Sequence, residues 1–395
     1  MRHWGRRTGR AILSWVTAAA AVAGFATAAG AAVAGSVTTN AMTWSTTNGD
    51  ILVSRIVDVG DTQLLVLGGN FTSVLTRAGA TVAARNFAVL DASSGDVVYA
   101  GRNVDSYVRA ADAHDGVLYV GGDFGTFAGQ SRPRVAALSL STWALTGFNP
   151  GLSGRVKAIV AGPSYLYLGG TFSGVRAYRY SDGHEGFRVS TDCAVHALLL
   201  SPDGAALYIG GFQNTTSGLV QHAIAKVDAT TGAPDPAFTL ALTKDSGGCG
   251  GAGSTAYDGE NTISLAFDTA RNRLLVGNGG KYNTFYVVNP ATGHSDYRIV
   301  SVADVQAILV LGPTYLLGIH GSKTTHNFIG QYAASNGALL PWDPELRGYQ
   351  GNADGGNNGV QSLCLDAKLG RMYVAGAFLT QNGTARKSLA VFSYT

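Results

Sequence analysis

The stretch Leu118-Tyr119-Val120-Gly121-Gly122-Asp123-Phe124 decides the fold, because it is not alone. An apolar run closing on glycines occurs again as Leu65-Val66-Leu67-Gly68-Gly69-Asn70-Phe71, Leu166-Tyr167-Leu168-Gly169-Gly170-Thr171-Phe172 and Leu207-Tyr208-Ile209-Gly210-Gly211-Phe212. Weaker copies are Leu274-Leu275-Val276-Gly277, Tyr315-Leu316-Leu317-Gly318 and Met372-Tyr373-Val374-Ala375-Gly376-Ala377-Phe378. Successive copies lie 53, 48, 41, 67, 41 and 57 residues apart, which makes seven. Self-similarity at such a period marks a repeat architecture in which no unit buries its apolar faces alone.

Other columns fall into register around this one. A short apolar strand precedes each copy, starting at Val53, Val108, Val156, Val195, Ile263, Val305 and Val360. A third apolar run follows most copies, as at 87–90, 224–227, 285–288 and 389–392, and ends in an Asx turn such as Asp91–Gly95, Asp228–Gly232 or Asn289–Gly293. Asx side chains and a closing Gly make hairpins. A fourth run carries an aromatic and often Pro, as in Phe148-Asn149-Pro150 and Trp342-Asp343-Pro344. One copy is therefore a four-stranded antiparallel blade, and the whole is expected to be an all-β, seven-bladed β-propeller. The last copy ends after its third strand. Residues 41–49, with the aromatic-then-Gly spacing of Trp342–Gly348, are expected to supply the missing strand beside 389–394 and close the ring.

Composition agrees. Of 395 residues, 54 are Gly, 46% are hydrophobic and only 13% are charged, which fits many short strands and tight turns better than helices. Arg2, Arg6, Arg7 and Arg10 precede an uncharged, mostly small and apolar stretch, and Ala32-Val33-Ala34 matches a small-x-small cleavage site, with Ala26-Thr27-Ala28 an earlier option. Residues 1–34 are thus expected to be a signal peptide and 35–395 a single domain. An uncleaved anchor is the alternative; its Ala and Gly content makes it weakly hydrophobic. Arg6-Arg7 leaves the export route open between general and twin-arginine. Removing the four arginines leaves 24 basic against 25 acidic side chains, so the mature chain has no basic excess for nucleic acid or a membrane surface. A secreted monomer is expected.

The strings also resemble a known family. Leu-Tyr-Val-Gly-Gly-Asp-Phe, followed by Arg-x-Ala and the Asp-x-x-x-Gly turn, looks like the delta-sixty repeat of bacterial extracellular β-propellers. The Gly-Gly-x-Phe element is similar to the propeller part of a fungal cell-polarity surface protein. Copies three, five and six depart from the pattern. The resemblance implies an extracellular propeller and carries no catalytic residues to transfer.

Candidate chemistry is sparse. Cys193 and Cys249 sit in connections on one face of adjacent copies and are the expected disulfide, worth about 4 kcal/mol by loop entropy. Cys364, within a first strand, is expected to be a buried thiol. Gly248-Cys249-Gly250-Gly251-Ala252-Gly253 spells a dinucleotide fingerprint, yet no strand–turn–helix surrounds it, so no cofactor is expected. The loop 352–358 is rich in Asx but holds one carboxylate, and is read as a plain loop in preference to a Ca²⁺ site.

Aligned on their first Val or Ile, the first strands give two polar columns. Three residues earlier stand Asp50, Asp105, Ser153, Asp192, Glu260, Val302 and Asn357; one residue later stand Ser54, Arg109, Lys157, His196, Ser264, Gln306 and Gln361. First strands of a propeller line its channel, so these columns ring the channel mouth. The plain reading gives the first column to strand-starting Asx turns and the second to channel water. The functional reading makes the ring a binding site for an extracellular glycan or surface protein, with Tyr107 and Tyr257 near the rim and the loops 72–85 and 125–134 as a tall wall. A glycosidase or polysaccharide lyase using His196, Arg109, Lys157, His320 and His326 is the alternative. No catalytic residue is assigned.

Overall fold

The computed structural model describes residues 37–44, 46–242, 259–280, 282–320, 328–348 and 359–394. Every regular element among them is a β-strand, and no helix occurs among the described residues. The expected signal peptide, Cys249, the Gly-rich string around it, Tyr257, His326, Asn357 and the Asx-rich loop lie outside the described residues.

Each copy of the repeat is an antiparallel sheet with its strands in chain order. Copies one, three and five pair four strands, as in Val156–Ala161, Tyr165–Gly170, Gly174–Arg179 and Glu185–Ser190. In copies two, four and six the fourth strand is reduced to one bridge, Leu138 to Leu145, Val227 to Pro234 and Tyr332 to Leu339. Pro234 has no N–H to give a ladder, which limits pairing there.

The glycines have two different reasons. A methyl on Gly121 would sit 2.5 Å from Val156 Cγ1, the valine that opens the next copy's first strand. Gly68, Gly169 and Gly318 meet Val108, Val195 and Val360 in the same way. A methyl on Gly122 would instead lie 2.0 Å from the Tyr107 carbonyl within its own sheet. The first glycine lets sheets stack and the second lets the first strand cross its partner closely.

Stacking puts the core between sheets. Val66, Val89, Val108 and Val120 join copies one and two, and Tyr167, Val175, Val195 and Ile209 join copies three and four. One such cluster combines Ile51, Leu65 and Leu67 of the first copy with Tyr373, Ala375 and Val391 of the last. Tyrosines add a tether of one design. Tyr167 donates to the Ala229 carbonyl at 2.6 Å, Tyr208 to Pro290 at 2.9 Å and Tyr373 to Ala92 at 3.0 Å, each to the residue after the Asx of the next turn. Ser54 and Ser362, from the first and last first strands, meet at 2.9 Å.

The N-terminal segment pairs beside the last sheet in a different register from the one expected. Val37 bridges Tyr394 and Met42 bridges Val391, with Met42 N donating to Val391 O at 2.7 Å. The chain then leaves, and Thr46 and Thr47 pair with Leu75 and Val74 of copy one. Trp44 explains the departure: it is buried edge-on to Tyr373, ring centroids 6.2 Å apart, in the cluster shared by the last and first copies.

Candidate functional site

A β-bulge interrupts every first strand where it meets the two-glycine column. Val108 pairs with Gly122 and Ala110 with Gly121, leaving Arg109 as the extra residue. The same shift singles out Lys157, His196, Gln306 and Gln361. In copies one and five, however, it falls at Leu52 and Ile263, and not at Ser54 and Ser264. The second polar column is therefore corrected at those two positions: Ser54 bonds to Ser362 and Ser264 to the Val305 carbonyl, both away from the bulge. A bulge re-aims the side chain of the extra residue, so one turned side chain per copy is built into the repeat.

The first column divides in the same way. Asp105 Oδ1 accepts the amides of Gly125 and Thr126 at 2.9 and 3.1 Å, and Asp192 Oδ1 those of Asn214 and Thr215 at 3.0 and 3.1 Å. In copy one the equivalent residue is Asn48, which holds Thr72 and Ser73 at 2.9 and 3.0 Å. These side chains clamp the loop that follows Gly-Gly-x-Phe; they do not start their own strand as an Asx turn would. Copies one, two and four, which have the clamp, fold that loop into a small hairpin, such as Thr126–Phe127 with Gln130–Ser131. Copies three, five and six carry Ser153, Gly259 and Val302 there and form no such hairpin among the described residues.

Asp50 and Glu260, expected at the rim, lie inside strands and are buried at 1% and 0% exposure. Burial pushes the Asp50 carboxyl up to about 6. Glu260 accepts hydroxyls from Thr284 at 2.9 Å and Tyr286 at 2.7 Å. Neither is a bulge residue of its strand.

The bulge residues of neighbouring copies reach one another. Lys157 Nζ lies 2.9 Å from His196 Nε2, and Gln361 Nε2 donates to Gln306 Oε1. Arg109 forks onto Asp123, with Nε to Oδ1 and Nη2 to Oδ2 both 2.7 Å, and its guanidinium stands 5.1 Å over the Tyr107 ring. Arg155 Nε is 3.6 Å from the same carboxylate. Burial pulls the Lys157 ammonium down to about 8, with Arg109 and Arg155 adding to the effect. Burial, then Lys157 and Arg109, pulls His196 down to about 3, so at neutral pH its Nε2 accepts from Lys157. Phe212 stacks on His196 at 4.4 Å. His320 donates its amide to the Asp304 carbonyl at 2.9 Å, as Asp123 does to Tyr107, so it takes in copy six the position that Asp123 takes in copy two.

Cys364 is a free thiol, 3.5 Å from Ser54 Oγ, and burial pushes it up to about 12. Cys193 is buried. No group of three or more His, Cys, Asp or Glu side chains with metal-binding geometry occurs among the described residues. Two grooves, of 690 and 740 Å³, run between the outer parts of copies two and three and of copies four and five. They hold none of the bulge residues, and ion pairs such as Arg176–Glu185 and Lys226–Asp235 tie up charges lining them.

No family model and no curated protein matches the chain. Among solved structures it resembles a chain of the mitotic checkpoint complex, a WD40-like propeller, with TM-score 0.61 at 15% identity over 91% of this chain and 93% of that one. The computationally designed Ika8 protein gives 0.54 at 14% identity, over 91% of this chain and 100% of that one. Identities this low speak for fold alone. The class they define is an all-β protein of propeller-like antiparallel sheets.

Proposed function

We propose that this chain is an exported seven-bladed β-propeller, closed through its N-terminal segment, that acts as a binding module for an extracellular glycan or cell-surface protein. The observation that carries the reading is the bulge in each first strand, which turns Arg109, Lys157, His196, Gln306 and Gln361 out of the regular pleat in five different copies. Closure is supported by the cluster shared between first and last copies and by the Tyr373 tether to Ala92. Membership of the delta-sixty repeat family rests on the sequence resemblance. Export rests on the basic, then apolar, first 34 residues. The Cys193–Cys249 bridge rests on where the two cysteines fall in the repeat sequence, and Cys193, unlike Cys364, carries no free thiol.

The enzyme alternative is weaker. Glycoside hydrolysis generally uses two carboxylates flanking the bond. The carboxylate at this cluster, Asp123, is already held by Arg109 and approached by Arg155. A glycan array probed with the purified protein tests the proposal. Binding that is lost on Arg109→Ala and His196→Ala supports a site at the mouth. Binding that both variants retain places the ligand elsewhere.

A further inference from the structure

We infer that the rim between copies two and four is a subsite for the carboxylate of an acidic sugar, so that the ligand is a polyuronate-type glycan and not a neutral one. The inference rests on the proposal that this face binds glycan, and names the chemistry of what it binds.

Charge balance at the cluster is the starting point. Three cations, Arg109, Arg155 and Lys157, come from the first strands of copies two and three and the residues flanking them. They face one carboxylate, Asp123, whose two oxygens are taken by the fork from Arg109. Arg155 reaches that carboxylate only at 3.6 Å and is more than half exposed. Lys157 has the neutral His196 ring as its hydrogen-bond partner, so the one anion acting on it is Asp123, which Arg109 already holds. The charges that act on it are Arg109, Arg155 and Asp123, a surplus of positive charge at a partly buried position. Asp105 and Asp192, whose oxygens face loop amides, are not among the charges that act on Lys157. Holding like charges together with one out of water costs free energy, and an anion between Arg155 and Lys157 would offset that cost.

Asymmetry around the bulge positions argues for a sugar and not a bare ion. At the same bulge position, copies six and seven carry the amides Gln306 and Gln361, which bond to each other and keep further donor and acceptor capacity for hydroxyl groups. Tyr107 and Phe212 flank the cations with aromatic rings that can pack against the C–H face of a pyranose. An anion site with apolar and amide surroundings is what a carboxylated sugar requires.

The test is titration calorimetry of the purified protein with oligogalacturonate, its fully methyl-esterified counterpart and inorganic phosphate, repeated with Arg155→Gln and Lys157→Gln. Arg155 is exposed enough that its substitution leaves the fold intact; circular dichroism checks this for both variants. The expected result is binding of the acid, about tenfold or more weaker binding of the ester, and about tenfold loss with each variant. Equal binding of acid and ester, or variants that bind the acid as the wild type does, overturns the carboxylate subsite and leaves the glycan reading standing. Binding of phosphate with no binding of either oligosaccharide makes this a small-anion site and overturns the inference. Silence toward these probes, together with a silent array of neutral and acidic glycans, overturns both.

Discussion

Lys157 and His196 are a half-buried pair whose pKa values are both lowered, but at neutral pH only the lysine carries charge. Lys157 titrates at about 8 when folded, below the ordinary lysine value of 10.5, so between those values the unfolded chain binds more protons. Stability therefore rises with pH across that window, and at pH 7 the buried ammonium is a net cost. Lys157→Met should raise stability at pH 7 by on the order of 2 kcal/mol, an advantage that shrinks toward pH 10, as urea midpoints at the two pH values would reveal. A gain that is the same at both pH values would mean that charge burial is not the cause. His196 titrates at about 3 when folded, below 6.5, so its contribution is complete above pH 6.5 and is lost as pH falls toward 3. His196→Gln should flatten the acid limb of the stability profile below pH 6.5. Asp50 runs the other way: with its carboxyl raised to about 6, stability falls as pH rises from 3.8 to 6, and Asp50→Asn should stabilise at pH 7 and change little at pH 3. A stabilising substitution that abolishes binding is the expected signature of a site held under electrostatic strain.

Bulge and clamp act at the level of the element. Because one extra residue is accommodated where the strand meets the glycine pair, the first strand of each copy keeps its apolar face on the next sheet while turning one side chain aside. Gly121→Ala should cost about 1–3 kcal/mol, since the added methyl meets Val156 Cγ1 across the sheet interface. Asp105→Ala removes both acceptor contacts to Gly125 and Thr126 and should cost about 1–2 kcal/mol. Its effect should be local: hydrogen exchange should quicken at those two amides and through Thr126–Ser131, with the sheets of copies one and three unchanged. Alignment on valines misassigned copies one and five for a physical reason. From first-strand Val to first Gly the spacing is 13 or 15 in copies two, three, four and six, and side-chain phase survives any even change in hairpin length. Ile263 to Gly277 is 14, out of step with the odd spacings of the other copies, so the shift in copy five was legible. Val53 to Gly68 is 15, an allowed value, so the choice of Ile51 over Val53 was not. Asn48 was missed, and Asp50 preferred, through that same ambiguity.

At the scale of the molecule, the first and last copies hold one another through Trp44, Tyr373 and the apolar side chains around them. Trp44→Ala should cost about 3–5 kcal/mol, a large value for a residue so near the end of the described chain. In a closed ring the loss is shared: hydrogen exchange should rise together in Thr62–Asn70 and Leu389–Ser393. In an open stack only one of the two would respond, and that result would overturn the closure proposed above. Tyr373→Phe, which deletes a single buried hydroxyl bonded to Ala92, should show the same coupled pattern at about 1 kcal/mol.

Sequence alone determined the repeat, its antiparallel strands and the Asx turns, because each is a local matter of spacing, pleat and turn chemistry. It also supplied Arg109, Lys157, His196, Gln306 and Gln361 as one polar column, though not the bulge that turns them aside. Only the tertiary structure decided which residue takes the bulge in copy one, that Asp105 and Asp192 clamp loops, that Asp50 and Glu260 are buried, and that the N-terminal segment leaves the last sheet at Met42. These depend on hairpin length and on what an adjacent sheet presents, and a one-dimensional string specifies neither.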